Sequence, residues 1–269
     1  MILVLCEEAD QSALWAAAAM RLRGKSLAVV TGADLAAAEY WEHTVGAAGA
    51  DCELRLAGGA RLRGADVHGV LNRLAFVPVA WQRGFSSPDR DYALLEMHAF
   101  YLSWLHALRG PKLNAPTPQG LCGNQRHPSA WTALAARAGL PVRPYRQTSD
   151  DDPSLAWQVA AGPGTTWQGT TWLGTTWLDT TRQANKPPAT TLHATVHVVG
   201  ERVIGAGPLI DRHEAACRRL AQMAGVMLLG IDFAAEAGGP WQVTRASVLP
   251  ELISGGEAVA DALSAALSP

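Results

Sequence analysis

Four polar residues stand where an open α/β sheet would hold a ligand. Asn72 and Arg73 follow the apolar run VHGVL, Asn114 ends the short segment KLN, and Arg126 lies in the loop before a helix pattern. Such sheets bind ligands in the crevice outside the carboxyl ends of their strands. A guanidinium there can take a carboxylate or phosphate through two parallel hydrogen bonds. Capping and surface packing use the same residue types in the same places, so position leaves both roles open. His193 and His197 are four apart in a β-rich run, where that spacing separates side chains on one face by about 13 Å, too far to share a metal. Asp150, Asp151 and Asp152 are adjacent carboxylates in a polar linker and read as a solvated loop. Glu96 and His98 leave their helix pattern in different directions. Cys6, Cys52, Cys122 and Cys217 show no C-x-x-C spacing, which argues against a zinc site and a disulfide framework and for buried, reduced thiols. No G-x-S-x-G occurs, and no G-x-G-x-x-G follows a strand, so a nucleophile elbow and a dinucleotide turn lack support. No metal centre is expected.

The elements that would position these residues follow from apolar periodicity. Met1 to Leu5 and Ser26 to Thr31 read as buried strands. Ser12 to Arg23 reads as a helix between them, with Ser12 as its cap and Gly24 as its stop. Asp34 to Thr44 also reads as a helix. Cys52 to Leu56 and Ala60 to Arg63 flank Gly58-Gly59 as a hairpin, and Val67 to Leu74 is a further strand. Asp89 to Leu108 is the longest helix pattern, with Leu94, Leu95, Met97, Tyr101, Leu102, Leu105 and Leu108 at spacings of three and four. Lys112 to Pro118 is a short strand leading into a loop, and Pro128 to Ala138 a helix. After Pro188 come a hairpin (Thr191 to Val199, Arg202 to Gly205), a helix (Arg212 to Ala224), strands at Val226 to Phe233 and Trp241 to Ala246, and a last helix at Gly256 to Leu267. Strands and helices in this order predict an open α/β sheet at the N-terminus.

Between Ser149 and Pro188 the composition changes to Trp, Thr and Gly. A pentapeptide recurs there as WQGTT, WLGTT and WLDTT. An odd period places successive Trp residues on opposite faces of a strand. The repeat reads either as a duplication in a tolerant loop or as a stacking surface for bases or sugars. This stretch is expected to be the least regular part of the chain.

The chain has 269 residues, 17% of them charged, and a formal net charge of −2. It offers no basic excess to neutralise phosphates, so no nucleic-acid partner is expected. The opening MILVLCEEAD lacks the positive region of a signal peptide, and no apolar run reaches the roughly 20 residues of a membrane span. A cytoplasmic protein without a membrane partner is expected.

The C-terminal third resembles the ATP-grasp ligases, especially the branch related to the enzyme that adds glutamate to a ribosomal protein. The resemblance rests on an ordered set: VHVVGERVIGAG (Val196 to Gly207), ACRRLAQMAGVMLLGIDF (Ala216 to Phe233) and GGPWQVTRASVLPEL (Gly238 to Leu252). RHPSAWTALAARAGLPVRP (Arg126 to Pro144) is similar to the helix and strand that open the central part of these ligases. The resemblance implies an α/β (α+β) fold in three parts. An N-terminal open α/β domain would span 1–118, a shortened central lid region 119–190, and a C-terminal antiparallel sheet with helices 191–269. It also implies a site in which Mg²⁺ bridges ATP phosphates, held by an acidic residue and by a Glu and an Asn two apart on the last strand. Here Asp232 stands at the acidic position, Arg245 at the Glu and Ser247 at the Asn. Thr195 replaces an Arg of the family's VVG strand. The lid, which in the family carries two lysines, has one, Lys186. An arginine among metal ligands repels Mg²⁺, and it is expected to pair with Asp232 or Glu251.

Two readings follow. One is a degenerate ATP-grasp homologue that needs no cofactor and binds a peptide or a partner enzyme. The other is a divergent ATP- and Mg²⁺-dependent ligase that joins a carboxylate to an amine or thiol through an acyl phosphate, with Asp232 and Glu251 as metal ligands. A third reading makes the Trp repeat a carbohydrate- or base-stacking module.

Overall fold

The computed structural model describes residues 1–47, 49–78, 86–143, 191–236 and 238–268. Lys186, the Asp150 to Asp152 run and the Trp repeat lie outside these residues.

The first strand, β1 (Ile2–Cys6), is buried along its whole length, as suits a strand covered on both faces. It pairs in parallel with β2 (Leu27–Thr31) on one side and with β6 (Gly69–Asn72) on the other. A short strand, β7 (Lys112–Leu113), extends the sheet beyond β6. Helix α1 (Gln11–Leu22) connects β1 to β2. Its cap is Asp10, whose carboxylate accepts from the Ala13 N–H at 3.0 Å, rather than Ser12. Ser12 lies two residues further in and bonds outward: its hydroxyl accepts from the Leu252 N–H at 3.0 Å and donates to Glu251 at 3.3 Å.

The helix expected at Asp34 to Thr44 is a correction. Thr31 and Asp34 form a capping box that starts a five-residue helix, α2 (Gly32–Ala36). The chain then enters an extended strand, β3 (Tyr40–Gly46), which pairs with β4 (Gly49–Arg55), and β4 pairs with β5 (Arg61–Arg63). Trp41 explains the outcome. Opposite Leu54 in register, its ring sits edge-on against Tyr101 and Trp104, with centroids 5.1 and 4.9 Å away. That packing outweighs the helix propensity of the preceding alanines. Tyr101 and Trp104 belong to α3 (Ser87–Ala107), whose second half buries one face through Tyr101, Trp104 and Leu105 while Tyr92 and Leu95 in its first half are more than half exposed.

The C-terminal sheet is antiparallel in the order β11-β10-β8-β9. It comprises β8 (Leu192–Val199), β9 (Arg202–Ile204), β10 (Leu228–Ala235) and β11 (Gln242–Ser247), so the three strands expected to share one sheet do so. One face, with Val196, Val198, Leu229, Ile231 and Phe233, packs on α4 (Pro128–Arg137) and α5 (Gly207–Ala224). The α5 helix begins five residues before the expected Arg212, because Pro208 suits a first helical turn. It stops at Gly225, which adopts the left-handed conformation at φ 71°. The last helix, α6 (Gly256–Ala266), packs against α1 and the other sheet face. Arg23 at the end of α1 binds Glu257 and Asp261 of α6. Ile2, Val4 and Met20 share one core with Val199, Leu228, Val259 and Leu263, so the two sheets are joined by apolar packing.

Candidate functional site

Chain order reverses at β1, which sends its connections to β2 on one side and has β6 on the other. Arg73 emerges at this switch point and is 6% exposed. Its Nε and Nη2 donate to the two oxygens of Asp10 at 2.6 and 3.2 Å, and its Nη1 donates to the Pro250 carbonyl at 3.0 Å. The fork that would clamp a ligand carboxylate thus clamps the α1 cap and ties it to the C-terminal part. Asn72 and Asn114 are likewise directed inward. The Asn72 amide donates to the carbonyls of Asn114 and Leu121 at 3.1 and 2.6 Å. Asn114, fully buried, donates to the Leu228 carbonyl at 2.8 Å and accepts from the Met227 and Leu228 N–H groups at 2.8 and 2.7 Å. Arg126 is half-buried. Its guanidinium lies 5.9 Å from the Trp131 ring centroid and donates to Ala224 at the end of α5, where a cation complements the helix dipole.

The second group lies on the sheet face away from α4 and α5. Asp232, at the centre of β10, stands opposite Thr195 of β8 and opposite Arg245 of β11. Directly opposed residues in such a ladder have Cβ atoms about 5 Å apart. The Thr195 hydroxyl donates to Asp232 Oδ1 at 2.8 Å. The ladder is irregular after Asp232, and Thr244 donates its hydroxyl to the Asp232 carbonyl at 3.1 Å. Ser247 lies two residues beyond Arg245, in register with Gly230, and its hydroxyl accepts from the Leu249 N–H. Pro250 covers Gly230 closely: a Cβ on that glycine would fall 2.6 Å from the Pro250 Cβ.

Glu251 serves a turn. Its carboxylate accepts from the Ile253 and Ser254 N–H groups at 2.7 and 2.9 Å. Burial would raise its pKa, but these bonds and the one from Ser12 outweigh that and leave it below the usual value. The Glu251 carbonyl accepts from His197 Nε2 at 2.6 Å. His197 is buried, which lowers its pKa and favours the neutral ring. It lies four residues from the exposed His193 on the same strand, and among the described residues no three His, Cys, Asp or Glu side chains gather as metal ligands. The four thiols are buried and free; burial is the main reason that Cys6 and Cys122 rise to about 11 and Cys217 to about 12.

The structure therefore brings Asp232, Arg245 and Ser247 onto one face, with Thr195 beside them, and draws Asn72, Arg73 and Asn114 into the junction between the two sheets. Asp10 was not singled out from the sequence. The signal for it is its place just before an Ala-rich helix, where a carboxylate caps.

No family model and no curated protein matches the chain. Solved structures do. The macrocyclase MdnC of Microcystis aeruginosa MRC, bound with its precursor peptide MdnA, superposes with a TM-score of 0.67 at 13% identity, covering 100% of both chains. A RiPP-associated ATP-grasp ligase of Chryseobacterium gregarium, in complex with ADP and a leader and core peptide, gives 0.63 at 10% identity over 100% of this chain and 97% of that one. The ATP-grasp ligase PsnB, with a phosphomimetic variant of its minimal precursor, Mg and ADP, gives 0.60 at 16% identity over 99% and 97%. Likeness along the whole length, together with the antiparallel C-terminal sheet and the parallel sheet before it, establishes that this chain has the ATP-grasp fold.

Proposed function

We propose that this chain is an ATP-grasp-fold protein that binds a peptide or a protein partner and does not perform Mg-ATP chemistry. The observation that carries the reading is the register of β10 and β11, which sets the Arg245 side of the ladder directly against Asp232. A magnesium ion bridging nucleotide phosphates needs hard oxygen ligands, with carboxylates among them. Among the described residues this face offers the Asp232 carboxylate, already hydrogen-bonded by Thr195, the hydroxyls of Thr195 and Ser247, and the Arg245 guanidinium where the resemblance would place a second anion. That set does not fit the metal. The peptide part of the reading is supported by the neighbours of the same fold that were solved with precursor peptides. The partner class is inferred from them.

Retention of Asp232 favours the divergent ligase as a second reading, and phosphate release separates the two. The wild-type protein with Mg-ATP and candidate peptides is expected to release no phosphate above background. The double variant Arg245→Glu/Ser247→Asn is expected to release none either, because the sequence between Asp152 and Leu192 supplies a single lysine, Lys186, for phosphates that need several cations. Turnover by the wild type that disappears in Asp232→Ala would select the ligase.

A further inference from the structure

A groove of about 500 Å³ opens on the side of the C-terminal sheet that carries α4 and α5, away from the Asp232 face. Leu140 and Pro141 after α4, Arg212 and His213 in the first turns of α5, and Pro240 and Trp241 at the start of β11 are among its lining residues. The volume lies within the range of ligand sites, about 300–1,000 Å³.

Its walls are set from behind. The His213 ring stacks on Phe233, with centroids 5.9 Å apart and planes 15° apart, and Phe233 is fully buried. Trp241 packs against the core formed by Val243, Ile231 and Trp131. Pro141 is anchored because its carbonyl accepts from the Val243 N–H at 2.7 Å. These surfaces are pre-arranged, so closing on a ligand would order little.

The polar chemistry of the groove has one sign. Arg212 has no ion-pair partner among the described residues. Among the described residues no carboxylate lines the groove. Arg219 adds positive charge at the rim, where it donates to the Ala138 carbonyl at 3.0 Å beside Gly139. Pro141 and Pro240 bring flat apolar surface and no N–H. A ligand matching these walls presents a ring, aromatic or proline, next to a carboxylate. The ring would lie on Trp241 and the prolines, and the carboxylate would meet Arg212. Aromatic- and proline-lined grooves of this kind suit extended proline-containing segments.

We infer that this groove docks an acidic peptide segment that carries a proline or aromatic residue beside its carboxylates. The inference rests on the peptide-partner reading above and names where such a partner binds and what chemistry it has. Charge complementarity and the aromatic wall commit it to that occupant.

Fluorescence anisotropy on the full chain tests it with three fluorescein-labelled hexapeptides, EEPFEP, KKPFKP and EEGGEG. EEPFEP is expected to bind most tightly, with either replacement weakening binding by roughly tenfold or more. Arg212→Glu and Trp241→Ala should each weaken EEPFEP binding by roughly tenfold, while Arg212→Lys keeps affinity within about threefold. Circular dichroism melting of each variant verifies folding. Because Arg212 is exposed, its two variants remain informative even if Trp241→Ala unfolds. Equal binding of EEPFEP and KKPFKP, or binding insensitive to Arg212→Glu, overturns the inference. In the second case peptide binding itself would stand and its site would lie elsewhere. Turnover of Mg-ATP would overturn the functional reading and leave the groove assignment standing.

Discussion

Asp10→Ala is expected to destabilise the folded chain by about 3–5 kcal/mol, the cost of leaving a buried charge without its partner. The charge is Arg73, whose side chain is 5% exposed against 15% for that of Asp10. In the wild type two guanidinium nitrogens meet the carboxylate and a third meets the Pro250 carbonyl. Removing the carboxylate strands the guanidinium in the junction and also removes the α1 cap, itself worth about 1 kcal/mol. The double variant Asp10→Ala/Arg73→Met should recover much of the loss, because it replaces the pair with apolar volume. Urea midpoints measured at constant m-value check both. A double variant less stable than Asp10→Ala, or a single-variant loss below about 1 kcal/mol, would contradict the account.

Asn114→Ala should cost about 3 kcal/mol or more, since each buried polar group stripped of its partner costs about 1–3 kcal/mol. This one side chain satisfies two N–H groups at the start of β10 and the Leu228 carbonyl, with a longer bond of 3.3 Å to the Val248 carbonyl. It is therefore a clamp between the end of the parallel sheet and the start of the antiparallel one. Asn114→Asp keeps an acceptor for the two N–H groups but turns an anion toward two carbonyls, so it should not rescue. Hydrogen exchange at Met227 and Leu228 should quicken in both variants more than exchange at Ile231, which pairs within the sheet. Unchanged stability in Asn114→Ala would refute the clamp.

The sequence made much of the fold legible. Apolar runs such as ILVLC and LLGIDF have few alternatives to buried strands, and the order of elements after Pro188 constrained the antiparallel sheet. The strand that begins at Tyr40 is not legible locally, because it is set by Trp41 meeting Tyr101 and Trp104, residues far along the chain whose contact local propensity does not encode. Asn72, Arg73 and Asn114 were legible as special but not as inward-facing, since a buried clamp and an exposed ligand contact use the same side chains. Asp232, Arg245 and Ser247 were brought together in the sequence only by the resemblance to the ATP-grasp ligases; strand parity by itself puts Arg245 and Ser247 on one side of their own strand, and the pairing of β10 with β11 sets Asp232 opposite Arg245. The groove at Arg212 and Trp241 was not, because its walls come from α4, α5 and the β10–β11 turn, elements that only the fold brings together. Lys186 and the Trp repeat lie outside the described residues.

The central claim is that the Asp232–Arg245 face holds no Mg-ATP. Isothermal titration of the wild-type protein with Mg-ATP tests it most directly, with Asp232→Ala as the paired control. The account predicts no saturable heat up to about 1 mM nucleotide, a limit corresponding to binding weaker than about −4 kcal/mol, and indistinguishable traces for the two proteins. Saturable binding by the wild type that is lost in Asp232→Ala would show that the carboxylate still holds a metal–nucleotide complex despite the arginine opposite it, and would contradict the account.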